Sequence, residues 1–254
     1  MTQNVFITGA SSGLGLALAR RYAAAGATLG LVGRRAEALR GLADTLPGSH
    51  RCYALDVRDR AALHQAAADF IARCAGKVDV VVASAGISAG TLTGQDEDHA
   101  VFQAIVDTNL TALMATFEPF IAPMRAARAG RLVGIASVAG IRGLPGAGAY
   151  SASKAAVATY CESLRVELAG SGVRVVTVAP GYIRTPMTAH NPYRMPFLME
   201  PDAFALRACA AIERGASYTV IPWQMGVAAK LLRLLPDAVY DRLARNAPRK
   251  PRQP

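Results

Sequence analysis

Seven short apolar runs recur along the chain, each separated from the next by a longer stretch with helical periodicity, and this alternation constrains the fold more than any other feature. The runs are Asn4 to Thr8, Ala27 to Val32, Ser49 to Leu55, Val78 to Ser84, Arg131 to Ser137, Arg174 to Ala179 and Ser217 to Ile221. Strand, helix and strand in succession fold as βαβ units around a parallel sheet. Several runs are apolar almost throughout, such as Val173-Arg174-Val175-Val176-Thr177-Val178, as expected when helices cover both faces. The expected fold is therefore a single α/β domain, a doubly wound parallel sheet of Rossmann type with about seven strands. Such sheets bind ligands beyond the carboxyl ends of their strands, so the residues that follow each strand become the candidates for a site.

With 254 residues, 52% of them hydrophobic and 18% charged, the chain suits one packed domain rather than a disordered one. Residues 1–222 carry the strand and helix pattern, and 223–254 read as a helical extension of the same domain that ends in a basic, proline-containing tail, loose in its last residues. Cys52, Cys74, Cys161 and Cys209 have neither CxxC nor Cys/His spacing. No metal site and no disulfide scaffold are expected. The strand at Asn4 leaves no room for a signal peptide, and no apolar run approaches the roughly 18 residues of a bilayer span. A cytoplasmic location is expected. His50, His64, His99 and His190 are scattered and read as surface or loop residues without partners. The net charge of +10 suits an anionic partner, but much of the excess lies in Arg242, Arg245, Arg249, Lys250 and Arg252. With no helix-turn-helix, zinc or RNA-binding motif beside them, no nucleic-acid function is expected.

The first strand runs directly into Thr8-Gly9-Ala10-Ser11-Ser12-Gly13-Leu14-Gly15 and then a helix. Glycines there let the backbone turn sharply and approach a pyrophosphate, which free N–H groups and the positive end of the helix dipole would hold. A cofactor with a free ribose 2′-hydroxyl calls for an acidic residue after the second strand. The chain has Gly33-Arg34-Arg35 instead. Guanidinium groups pair well with a 2′-phosphate, so NADP(H) is expected in preference to NAD(H).

Ser137 ends the fifth run, and Tyr150-Ser-Ala-Ser-Lys154 follows thirteen residues later. With the glycine motif, these residues resemble the short-chain dehydrogenase/reductase family over roughly Val5 to Pro222. The resemblance implies a nicotinamide-dependent oxidoreductase acting on a carbonyl or alcohol, with Asn109, Ser137, Tyr150 and Lys154 as catalytic residues. It also implies cofactor contacts from Gly9, Ser11, Ser12, Gly13, Leu14 and Gly15, from Asp56 and Val57 on the adenine side, and from Ala85 and Gly86. Tyr150 and Lys154 join these contacts, as do Pro180, Gly181, Ile183 and Thr185 of the nicotinamide-side loop. One departure is visible: where the family usually has Asn-Ala-Gly, this chain has Ser84-Ala85-Gly86. A local bond from the shorter hydroxyl is expected, with some loss of stability or cofactor placement but none of the chemistry.

Four residues apart on a helix, Tyr150 and Lys154 share one face. A free tyrosine has a pKa of about 10, and a nearby ammonium favours its phenolate, which makes Tyr150 a usable acid/base. Ser137 is placed to donate a hydrogen bond to the oxygen on which charge grows. Lys154 would also hold the nicotinamide ribose, and by resemblance Asn109 would position a water that passes protons to Lys154. A non-catalytic NADPH-binding sensor is the alternative that the fold allows, yet such a protein has no need of these four residues.

Met187 to Met199 contains Met187, Tyr193, Met195, Phe197, Leu198 and Met199, an adaptable apolar surface that suits a hydrophobic or lipid-like substrate. By resemblance the chain forms a homodimer or homotetramer through helices near Ala100 to Arg125 and Tyr150 to Ala169. The segment Pro222 to Pro236 places Leu231, Leu232, Leu234 and Leu235 beside Lys230, Arg233 and Trp223. Such a helix covers the substrate entrance, packs on a partner subunit or makes a weak interfacial membrane contact.

Overall fold

The computed structural model describes residues 3–189 and 191–252. Its strands, β1 (Asn4–Thr8), β2 (Thr28–Gly33), β3 (Arg51–Ala54), β4 (Val80–Ala83), β5 (Gly130–Ile135), β6 (Val173–Pro180) and β7 (Tyr218–Ile221), fall on the seven apolar runs. All pair in parallel, in the order β3-β2-β1-β4-β5-β6-β7. The chain winds outward from β1 to β3, then restarts at β4 on the other side of β1. The crevice at that reversal lies at the carboxyl ends of the strands, where an open α/β sheet takes its ligand.

The side chains of each strand alternate between two helical layers. Val5 and Ile7 point into the layer of α1 (Gly13–Ala24), α2 (Ala36–Thr45) and α7 (Pro201–Glu213), beside Leu18, Leu39 and Phe204. Phe6 points the other way, toward α3 (Arg60–Arg73), α4 (Asp98–Val106), α5 (Ala112–Ala126) and α6 (Gly148–Glu167). There its ring centroid lies 5.0 Å from that of Phe120 and 5.5 Å from that of Phe70. A Cβ on Gly30 would stand 2.7 Å from the Phe6 ring; the missing side chain on β2 is what lets these rings meet.

Asp98 to Ala126 runs as one helix of 29 residues, with a π-turn at Asp107–Thr111 between α4 and α5. By length and composition it could cross a membrane, although Asp107, Asn109 and Glu118 interrupt it and no continuous apolar run reaches that length. Its apolar residues Phe117, Phe120 and Met124 pack instead on the sheet. Local composition cannot tell the two uses apart, because a core helix and a membrane span both present apolar side chains to an apolar medium.

The C-terminal segment folds as α8 (Trp223–Leu234) and α9 (Asp237–Ala244), and the basic tail beyond them is tied down as far as Arg252. Gly90 N–H donates to the Pro251 carbonyl at 2.9 Å, and Arg252 Nε donates to the buried Asp98 carboxylate at 2.8 Å. Two histidines also have partners that their spacing did not suggest. His64 lies 2.9 Å from Glu118 and joins α3 to α5, and His50 Nδ1 accepts the Leu29 N–H at 3.2 Å. His190 lies outside the described residues.

Candidate active site

After β1 the backbone turns through Gly9 (φ +70°) and Gly13 (φ +56°), both in the left-handed region that favours glycine. A Cβ on Gly9 would lie 2.9 Å from the Ala85 backbone, and one on Gly15 would strike the Gly9 carbonyl. The turn thus packs backbone against backbone and opens onto the start of α1. Ser12 precedes that helix without capping it through its side chain. The hydroxyl and the first N–H groups of α1 are left facing the crevice, an arrangement suited to an anion. Thr8 Oγ1 accepts the N–H groups of Ser84 and Ala85 at 3.2 and 3.3 Å. The expected local bond from the Ser84 hydroxyl is not formed among the described residues; Thr8 ties β1 to the end of β4 in its place.

A cleft of about 410 Å³ opens along the crevice. At one end it is lined by Gly33, Arg34, Asp56, Val57 and Arg58. Arg35 departs from expectation: its guanidinium turns away and donates to the Ser11 carbonyl at 3.0 Å, so it supports the glycine turn from behind. Arg58, which the sequence reading passed over, grips Asp56 through Nε at 3.1 Å and Nη2 at 2.7 Å. This pairing, aided by Arg34, holds the Asp56 carboxyl below its usual range.

At the other end of the cleft stand Ser137, Tyr150, Lys154, Pro180, Gly181, Ile183 and Thr185. Ser137 caps a short 3-10 turn, its Oγ accepting the Ala139 N–H at 3.1 Å. A Cβ on Gly140, the last residue of that turn, would sit 2.6 Å from the Lys154 backbone. The turn therefore lies flat on α6 and fixes Ser137 beside the helix that carries Tyr150 and Lys154. Lys154 Nζ donates to the Ile135 carbonyl at 2.8 Å and lies 5.9 Å from the Tyr150 ring centroid.

Asn109 is buried in the π-turn. Its Oδ1 accepts the Ile87 N–H at 2.8 Å, and its Nδ2 donates to the Ile87 carbonyl and to Ser153 Oγ, each at 3.0 Å. Through these bonds the side chain positions the loop after β4, while Oδ1, which accepts one N–H, keeps a second lone pair. A π-turn widens the helix by one residue and is often found where function demands it.

Burial lowers the Lys154 pKa to about 8. Burial also raises that of Tyr150, with the Ser137 hydroxyl beside it acting the other way. In the protein alone, desolvation of the phenolate is the larger influence on Tyr150.

The sequence pattern of the short chain dehydrogenases matches residues 3–194. This chain belongs to that family. Accordingly it is an NAD(P)-dependent oxidoreductase acting on CH–OH or C=O groups. It is 39% identical over 247 residues to an uncharacterised oxidoreductase of Myxococcus xanthus, covering 96% of each chain. Over 191 residues it is 40% identical to sulfoacetaldehyde reductase 2 of Chromohalobacter salexigens, covering 74% of this chain and 75% of that one. Among solved structures, a short-chain dehydrogenase from Streptomyces avermitilis superposes with a TM-score of 0.80 at 27% identity over 96% of both chains.

Of the family positions read from the sequence, all but Arg35 and Asn109 line the cleft. Asn109 acts from behind it, and its neighbours Ala104 and Thr108 take the wall. Met187, read from the sequence as part of an apolar surface, is also in the wall, whereas Arg58 is a wall residue that the sequence reading passed over; an arginine two residues past Asp56 was the available signal for it. A second, more open depression of about 660 Å³ lies between Gly140–Pro145, the start of α6, and Arg233, Tyr240 and Arg245. It contains neither the glycine turn nor Tyr150, so it is not where this family's chemistry would occur.

Proposed function

We propose that this protein is an NADPH-preferring carbonyl reductase, or alcohol dehydrogenase in the reverse direction, with an apolar substrate. The convergence of Ser137, Tyr150 and Lys154 at one end of the cleft carries the reading. The glycine turn, the α1 N-terminus with its uncapped Ser12, and the arginine-lined far end suit a dinucleotide with an added phosphate. Gly9, Ser11, Ser12, Gly13, Leu14 and Gly15 would hold its pyrophosphate, Asp56 and Val57 its adenine side, and Ala85, Gly86, Pro180, Gly181, Ile183 and Thr185 its nicotinamide half. Arg34 would meet the 2′-phosphate, with Arg58 on the same wall of the cleft.

A nicotinamide cofactor held there would supply the hydride to the carbonyl carbon or accept it from the alcohol. Tyr150 gives its phenolic proton to the carbonyl oxygen, and in oxidation takes it back from the alcohol. Because Ser137 Oγ already accepts from Ala139 N–H, its own proton is free to be donated to the same oxygen. One preorganised donor of this kind is worth about 2.7 to 4 kcal/mol in the transition state. Lys154 holds a positive charge beside the phenol and the ribose, and Asn109 fixes the loop at Ile87 that closes the cleft.

Met187 lines the cleft, and Met187 and Phe197 are exposed; with Tyr193, whose ring meets Tyr182 edge-on, they offer the apolar wall of a substrate pocket. We place the protein in the cytoplasm, a compartment that suits its four unpaired thiols. Assembly as a homodimer or homotetramer is supported by exposed Phe102 and Val166 on the helices expected to pair. On α8, Trp223, Val227, Leu231 and Leu234 form an exposed stripe that a further subunit would cover, or a weak membrane contact would use. No α8 residue lines the main cleft, which speaks against that helix as the entrance cover. Sedimentation velocity and co-sedimentation with anionic liposomes separate the two uses. The test of the main reading is steady-state reduction of aliphatic, aromatic and sugar-like carbonyls with NADPH and NADH: turnover of apolar carbonyls with NADPH preferred is expected, and activity confined to small polar sugars, or an NADH preference, overturns the corresponding part.

A further inference from the structure

We propose that the C-terminal tail is a strap over the substrate end of the cleft and that Lys250, on this strap, binds an anionic group of the substrate. Three loops receive the tail. A Cβ on Gly146, just before α6, would meet the Arg249 side chain at 3.1 Å. Lys250 Nζ donates to Ser88 Oγ at 3.0 Å and to the Met187 carbonyl at 3.3 Å. Arg252 Nε reaches Asp98 at 2.8 Å, and Arg252 Nη2 reaches Glu97 at 3.0 Å.

Ser88 follows Ile87, and both Ile87 and Met187 line the cleft. The ammonium therefore bridges its two lips, the loop after β4 and the loop after β6. The strap is anchored independently of that bridge, because Asp98 is a buried carboxylate whose charge Arg252 meets. Burying a carboxylate is unfavourable unless it is paired, so the latch at Asp98 and the tail stabilise one another.

The charge on Lys250 is left unmatched. Both of its partners are neutral oxygens, one of its three donors is unused, and no carboxylate among the described residues lies within ion-pair distance of it. The nearby Glu97 and Asp98 are taken by Arg252. Half-burial of Lys250 disfavours its charged form. A half-buried cation at the rim of an apolar pocket is completed by an anion from outside the protein, and charge-assisted bonds of that kind are the stronger ones. The substrate class that fits is an apolar carbonyl compound bearing a carboxylate or sulfonate away from the reacting carbon.

This assignment rests on the carbonyl-reductase reading above, and its test separates the two. The full-length protein, Lys250→Met and Lys250→Arg are compared on 4-formylbenzoate and its neutral methyl ester with NADPH. Lys250→Met is expected to lower the ratio of kcat/KM for acid over ester by about tenfold, the value of one charge-assisted contact, while Lys250→Arg keeps it within about threefold. An equal loss on both aldehydes, or an unchanged ratio in Lys250→Met, overturns the assignment. If neither aldehyde is turned over, the reductase reading loses its support. Calorimetric binding of the same acid and ester to the NADP⁺-loaded proteins then decides Lys250 by itself: a selective loss of acid binding in Lys250→Met sustains the assignment, and equal binding of acid and ester overturns it.

Discussion

Asn109 Nδ2 and Ser153 Oγ meet at 3.0 Å inside the fold, and the same Ser153 hydroxyl donates to the Tyr150 carbonyl at 2.8 Å. Through these bonds and its two contacts to Ile87, Asn109 couples the loop after β4 to the first turn of α6. Asn109→Ala leaves buried groups of Ile87 and Ser153 without partners. A loss of about 2 to 4 kcal/mol in denaturant unfolding is expected from several such bonds, together with a fall in kcat; a variant as stable and active as the wild type would show that the coupling is idle.

Tyr150→Phe removes one oxygen and the proton it carries, and leaves the ring in place. Turnover should fall by about 10³-fold or more, the scale of losing a positioned acid, while the dissociation constant for NADPH in a fluorescence titration changes little. Substantial residual turnover would require a different proton donor.

Arg34 lines the cleft and Arg35 does not. Arg34→Ala is therefore expected to raise the KM for NADPH by about tenfold or more, as loss of a charge-assisted phosphate contact would, with a far smaller effect on NADH. Arg35→Ala should act on both cofactors alike, through the Ser11 turn. Equal discrimination by the two variants would place both arginines at the phosphate.

Lys154 has a folded pKa of about 8 against 10.5 for the free side chain. Below pH 8 both states are protonated, and the folded protein bears the full cost of a buried charge. Between pH 8 and 10.5 the unfolded chain binds the extra proton, so this residue's contribution to stability rises with pH, and above 10.5 it levels off. Unfolding free energies of the wild type and Lys154→Met, measured at pH 8 and 9, should converge or cross in favour of the wild type by about 1 kcal/mol over that unit. The buried thiols of Cys161 and Cys209, pushed up to about 11 in the fold, titrate near 9 in the unfolded chain and lower the stability of both proteins alike as pH rises, so they drop out of the comparison. A difference independent of pH would mean that Lys154 keeps its charge when buried.

The strand runs, the glycine turn and the Ser137, Tyr150 and Lys154 spacing were legible because each is local. A β-branched run, a turn that needs positive φ, and two residues one helical turn apart are written in consecutive residues. For the same reason all seven strands could be placed from the chain alone, while most of the cleft wall was named through the family resemblance those motifs carry.

What the sequence by itself determined was the order of the elements and the chemistry that follows each strand. Only the tertiary structure decided which way each polar side chain turns, because that depends on partners distant in the chain. Arg34 and Arg35 are alike in sequence, yet Arg35 is claimed by the Ser11 carbonyl, 24 residues away. Asn109 is claimed by Ile87 and Ser153. The tail reads as loose and basic until Asp98, 154 residues before Arg252, supplies the buried carboxylate that fixes it. Buried polar groups must find partners wherever the fold brings them, and no local pattern records where those partners lie.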